Sequence, residues 1–181
     1  MIKQGLLGMI ALAISVSAAH AADAVKVGSK IDTEGSLLGN IILQVLDKHG
    51  VKTVNKIQLG TTQVVRGAIT AGELDIYPEY TGNGAFFFND EKDAAWKNAQ
   101  QGYEKVKKLD ADKNHLVWLT PAPANNTWTI AVRGDVAQKN NLNSLEDLSA
   151  YLKKGGTFKL AASAEFIERS DALPAFEKAY N

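Results

Sequence analysis

The chain has no cysteine among its 181 residues, so it has no disulfide framework and no thiol for a lipid anchor at its processing point. Histidine is scarce. Of three, His20 lies in the N-terminal leader, His49 ends a helical pattern and His115 opens a strand-like run, without metal-ligand spacing. No metal or cofactor is expected. Neither sign of charge is in excess, with 20 basic and 20 acidic residues, which argues against a nucleic-acid or anionic-membrane partner. Val27-Gly28-Ser29-Lys30 and Tyr80-Thr81-Gly82-Asn83-Gly84 lack the spacing of a phosphate loop. Asp75 and Glu79 are a weak candidate for a catalytic carboxylate pair, since Asp75 reads better as a strand-entry residue. No nucleophile and base stand together, so an enzyme is not expected.

Long apolar runs are also few. Leu6 to Ala19 is uncharged for fourteen residues, short of the roughly 20 a helix needs to span a bilayer. With Lys3 before it and Ala19-His20-Ala21 after it, the stretch has the form of a secretory leader cleaved after Ala21. The expected product is exported to the periplasm, soluble and monomeric. Its 160 remaining residues suffice for one compact domain or for one and a half smaller lobes.

Along the mature region strands alternate with helices. Val25 to Val27 is strand-like; Ser36 to His49 places Leu37, Leu38, Ile41, Ile42, Val45 and Leu46 on one helical face before Gly50. Val54 to Leu59 is a second strand. Val64, Val65, Ala68 and Ile69 form a helix stripe closed by Gly72, and Leu74 to Tyr77 is a third strand. Tyr80 to Asn89, with two glycines and three consecutive phenylalanines, reads as a loop beside apolar surface. A helix follows through Trp96, Ala99, Tyr103 and Val106, then a strand over Leu116 to Leu119. Pro121-Ala122-Pro123 is stiff and extended and marks a crossing between lobes. Beyond it come a strand over Trp128 to Val132, a helix capped by Ser144, a strand over Phe158 to Ala161, and the amphipathic run Leu173 to Tyr180. The pattern is α/β, with a mostly parallel sheet between helices.

Ligands of open α/β sheets sit at the carboxyl ends of strands, which directs attention to four loops. Lys30 follows the first strand, Tyr77, Tyr80 and Asn83 follow the third, Asn126 and Trp128 begin the first strand after the crossing, and Arg169 lies beyond the last. Aromatic faces attract a quaternary ammonium through the ring quadrupole, and lysine and arginine complement a carboxylate. A zwitterion with both groups would be satisfied at both ends. Taken singly, each residue has a plainer reading: Tyr80 and Trp128 as core aromatics, Lys30 and Arg169 as solvated charges.

Four blocks carry a family resemblance: Val-Gly-Ser-Lys at 27 to 30, Gln-Leu-Gly-Thr-Thr at 58 to 62, Glu-Leu-Asp-Ile-Tyr-Pro-Glu-Tyr-Thr-Gly at 73 to 82 and Thr-Ile-Ala-Val-Arg at 129 to 133. In order, they resemble the osmoprotectant-binding proteins of ABC importers, and most nearly the glycine betaine-binding branch of Gram-negative bacteria. The resemblance implies a two-lobed, type II-like periplasmic solute-binding fold that closes on glycine betaine, choline or a similar osmolyte and delivers it to permease and ATPase subunits. It also implies roles: Lys30, Asn83 and Arg169 near the ligand carboxylate, Tyr80 and Trp128 in an aromatic cage, and Asn126 lining the same side. Asn83 stands where relatives often have threonine, and Trp128 where some have tyrosine, which alters cage size. Family members continue well past residue 181, so the expected organisation is a leader at 1–21, lobe 1 at 22–120 and an incomplete lobe 2 at 121–181. A sensory domain of a receptor and a non-functional fragment are the competing expectations.

Overall fold

The computed structural model describes residues 24–180, so the expected leader lies outside the described residues. Strand β1 (Val25–Lys30) pairs in parallel with β2 (Thr53–Gly60), with Val25 opposite Thr53 and an irregularity between Gly28 and Lys30. Between them runs helix α1 (Thr33–Lys48), started by the Asp32 carboxylate, which accepts a 2.7 Å bond from the Gly35 amide. Gly39 faces Ile57 and Ser29 so closely that a Cβ could not fit without displacing them, which lets the helix lie directly on the strands. Gly50, at φ +74°, ends this unit in the left-handed region that glycine adopts without strain.

Helix α2 (Thr62–Thr70) buries Val65 and Ala68 against Leu74, with Ile69 and Tyr77 packed around them. The third expected strand is reduced to one bridge, Val27 to Ile76, with the Gly28 amide donating to the Ile76 carbonyl at 2.9 Å. Pro78 has no amide to continue a ladder, and the chain leaves the sheet after Ile76. Asp75 accepts the Lys26 amide at 2.7 Å, as expected of a strand-entry residue.

The phenylalanine-rich stretch expected as a loop contains helix α3 (Asn83–Phe87), whose Gly84 presses on Trp96 and Val106. The helix expected around Trp96 is divided into a 3₁₀ turn (Ala94–Lys97) and α4 (Ala99–Asn114), because Asn98 caps α4 by accepting the Gln101 amide. Asp110 of α4, wholly buried, is paired with Arg66 of α2 and also accepts from Asn114 and from the Trp118 indole.

The remaining elements are α5 (Gly134–Asn140), α6 (Leu145–Lys153), α7 (Ala164–Glu168) and α8 (Leu173–Tyr180). Ser144 and Asp147 form a reciprocal capping box at α6. Leu142, Leu148, Phe166 and Ala172 are buried here. Three expected strands, Leu116–Leu119, Trp128–Val132 and Phe158–Ala161, join no ladder among the described residues. Val117 is 81% and Leu119 70% exposed. Their apolar pattern suits a strand, but a strand exists only beside a bonded neighbour. The face expected to bury α1 is likewise split: Leu37, Ile41 and Val45 are exposed, because the contact with the sheet is made through Gly35 and Gly39.

Candidate functional site

The carboxyl end of β1 delivers Lys30 into a buried position, and the turn after Ile76 delivers Glu79 beside it. Glu79 gathers donors from three sides. Its Oε1 accepts from the Lys30 ammonium, from the Tyr80 amide at 2.7 Å and from Asn83 Nδ2 at 2.7 Å, while Oε2 accepts from the Tyr77 hydroxyl at 3.0 Å. Lys30 Nζ also stands 4.6 Å from the centre of the Tyr80 ring, a cation–π distance.

Asn83 relays this cluster to the later part of the chain. With Nδ2 given to Glu79, its Oδ1 accepts from Arg169 Nη2 at 2.9 Å. Arg169 is held by Asp171 through Nε at 2.6 Å and Nη2 at 2.7 Å, and by Glu165 through Nη1 at 3.0 Å. Its guanidinium lies 4.5 Å from the Phe86 ring centre and 4.6 Å from that of Trp128. Burial works against the charge of Arg169, but hydrogen bonds to Asp171 and Glu165 outweigh it and hold the group above its ordinary value. Glu165 also serves α2. Thr61 offers that helix no side-chain cap, and Glu165 Oε2 accepts the Thr62 amide at 3.2 Å instead. Burial would raise the Glu165 carboxyl, yet the Thr62 and Arg169 contacts lower it.

Trp128 is 38% exposed and meets Phe166 edge-on at 5.5 Å. Asn126, also exposed, donates to Glu34 at the start of α1. The Tyr80 hydroxyl is buried close to that pair but makes no hydrogen bond of good geometry. Burial first, then the Glu34 carboxylate, pushes the phenol well above its ordinary value. A buried, unbonded hydroxyl is costly.

All six residues singled out from the sequence therefore fall in one linked group. Lys30, Asn83 and Arg169 are joined through Glu79, Tyr80 lies against Lys30, Trp128 lies against Arg169, and Asn126 lies near Tyr80 through Glu34. Lys30 and Arg169 are buried ion-paired groups, not solvated charges. Sequence reasoning passed over Glu165, Asp171 and Phe86, and weighed Glu79 only as half of a weak catalytic pair with Asp75. Glu79 was visible between the two tyrosines, and Phe86 in the aromatic run that needed a covering group; the two later carboxylates had no distinguishing signal.

Buried cations, carboxylates and aromatic faces thus converge from separate segments of an α/β scaffold, an arrangement suited to holding a ligand that carries both charges. The chain belongs to the OpuAC family, the substrate binding domain of ABC-type glycine betaine transport systems, whose pattern it matches over residues 23–181. It is 84% identical over 161 residues to the glycine betaine-binding protein YehZ of Escherichia coli K12, a match covering 89% of this chain and 53% of that protein. It is 34% identical over 167 residues to the glycine-betaine-binding protein of Pseudomonas aeruginosa, covering 88% and 52%. A solved structure of apo YehZ from Escherichia coli superposes with TM-score 0.60 at 84% identity, covering 88% of this chain and 57% of that one. The chain thus spans about half the length of the curated relatives it matches. Among the described residues no helix is long and apolar enough to cross a membrane.

Proposed function

We propose that the chain captures glycine betaine or a related quaternary-ammonium osmolyte in the periplasm and presents it to the permease and ATPase of an ABC importer, acting as a monomer after removal of residues 1–21. The observation that carries this is the linkage of Lys30, Tyr80, Asn83, Asn126, Trp128 and Arg169, from segments far apart in the chain, into one group of contacts. Tyr80 and Trp128 supply ring faces for a methylated cation, and Lys30, Asn83 and Arg169 supply donors for a carboxylate. In this reading residues 22–120 form one lobe and 121–181 the start of the other, with the exposed Pro121-Ala122-Pro123 stretch between them.

The bonds from Arg169 to Asn83 and from Thr62 to Glu165 then tie lobe to lobe across the cleft. A ligand must work within these pairings. Lys30 keeps ammonium protons beyond the one it gives Glu79, whereas Arg169 has little donor capacity left after Asp171, Glu165 and Asn83. Lys30 is therefore the main anchor for the carboxylate, and Arg169 chiefly holds the halves together and backs the Trp128 ring.

Calorimetric titration of residues 22–181 with glycine betaine and with choline tests the proposal. Saturable binding of either ligand to folded monomer is expected; no heat and no rise in melting temperature at millimolar ligand would defeat it.

A further inference from the structure

Resting on the binding reading above, we infer that Glu79 sets the ligand preference of the site by neutralising Lys30, holding carboxylate-bearing osmolytes to a weaker advantage over choline than Lys30 alone would give them. Glu79 has no part in the expected roles of the site, yet it accepts hydrogen bonds from four residues, Lys30, Tyr77, Tyr80 and Asn83. It is buried, it is the ion-pair partner of Lys30, and through Asn83 it fixes the amide that receives Arg169.

The electrostatic argument is direct. A ligand carboxylate approaching the Lys30 ammonium is drawn by one positive charge and repelled by the negative charge bonded to it, so the two fields largely cancel. Glu34 adds a further carboxylate beside Tyr80, and Glu165 with Asp171 neutralise Arg169. Four carboxylates, Glu79, Glu34, Glu165 and Asp171, thus stand around two cations, Lys30 and Arg169, a balance that suits a cationic head more than an anionic tail. Choline has only the former.

The substitution Glu79→Gln isolates the charge from the shape. Oε1 accepts three donors and Oε2 only the Tyr77 hydroxyl. A glutamine oxygen placed at Oε1 keeps the three, and its amide at Oε2 can donate to Tyr77, whose hydroxyl also accepts. The hydrogen-bond frame survives while Lys30 loses its counter-charge.

Residues 22–181 are titrated with glycine betaine and choline as wild type, Glu79→Gln and Lys30→Gln, each also melted without ligand. In Glu79→Gln the ratio of betaine to choline affinity rises at least tenfold. In Lys30→Gln, where Glu79 is left uncompensated, choline binds at least threefold tighter than to wild type while betaine weakens. An unchanged or lower ratio in Glu79→Gln, or equal losses of both ligands in Lys30→Gln, overturns the inference while leaving osmolyte binding intact. Absence of any binding to wild type overturns both. Should Glu79→Gln fail to melt cooperatively, the choline gain in Lys30→Gln decides alone, since a purely structural Glu79 predicts none.

Discussion

Replacing Asp110 by alanine should cost about 3 kcal/mol of folding stability. The carboxylate is 0% exposed and the Arg66 side chain bonded to it only 13%, and removing one partner of a buried pair typically costs about 3–5 kcal/mol. Arg66 keeps some access to water and the Phe87 face at 4.4 Å, which favours the lower end of that range. The bonds from Asn114 at 2.8 Å and Trp118 at 2.6 Å disappear as well. For a domain of this size the melting temperature should fall by about 6–12 °C. Urea unfolding followed by circular dichroism and tryptophan fluorescence measures it. A paired change, Arg66→Met with Asp110→Leu, buries no charge and should recover at least half the loss. A loss under about 1 kcal/mol, or a double variant as weak as the single one, would refute the reasoning. The pH dependence follows from the same pair. Burial would raise the Asp110 carboxyl, but Arg66, Trp118 and Asn114 outweigh it and lower it. A lowered folded-state value means stability that is present above the unfolded carboxyl value of about 3.9 and lost as pH falls through the folded one.

Tyr80→Ala and Trp128→Ala should each weaken binding of a quaternary ammonium by about 1–2 kcal/mol, read by calorimetry; unchanged affinity in both would remove them from the cage. Lys30→Ala should weaken glycine betaine more than choline, and Arg169→Ala should do so less selectively while also lowering the melting temperature, because Arg169 bridges Asn83, Glu165 and Asp171. Mass spectrometry of periplasmic material should find an N-terminus at Ala22; soluble cytoplasmic protein retaining Met1 would contradict export.

The β-loop-α order of the first hundred residues was legible because each signal there is local. Gly50 and Gly72 act within a few residues of the helices they close, and periodicity located α2 and α4. What misled was anything that depends on a neighbour. Leu116–Leu119 and Phe158–Ala161 have strand composition but no ladder partner among the described residues, and α1 turns two glycines to the sheet where its leucines and isoleucines looked like the buried face. At the site, the six candidate residues were picked out from cation–π and ion-pair chemistry together with the family resemblance, and they lie in one linked group. Their pairing was not readable, since nothing in sequence spacing links Asn83 to Arg169, 86 positions away, or Glu165 to Thr62, 103 away.

The cleft's claim to a charged quaternary head is tested most directly by melting residues 22–181 with millimolar glycine betaine and, in parallel, with 3,3-dimethylbutanoate, which replaces the ammonium nitrogen by carbon. Ligand that binds only the folded chain raises its stability by about 1.4 kcal/mol when present at tenfold its dissociation constant. The account predicts an upward shift with betaine and none with the uncharged-head analogue. Equal shifts with both, or no shift with betaine in a chain that melts cooperatively, would contradict it.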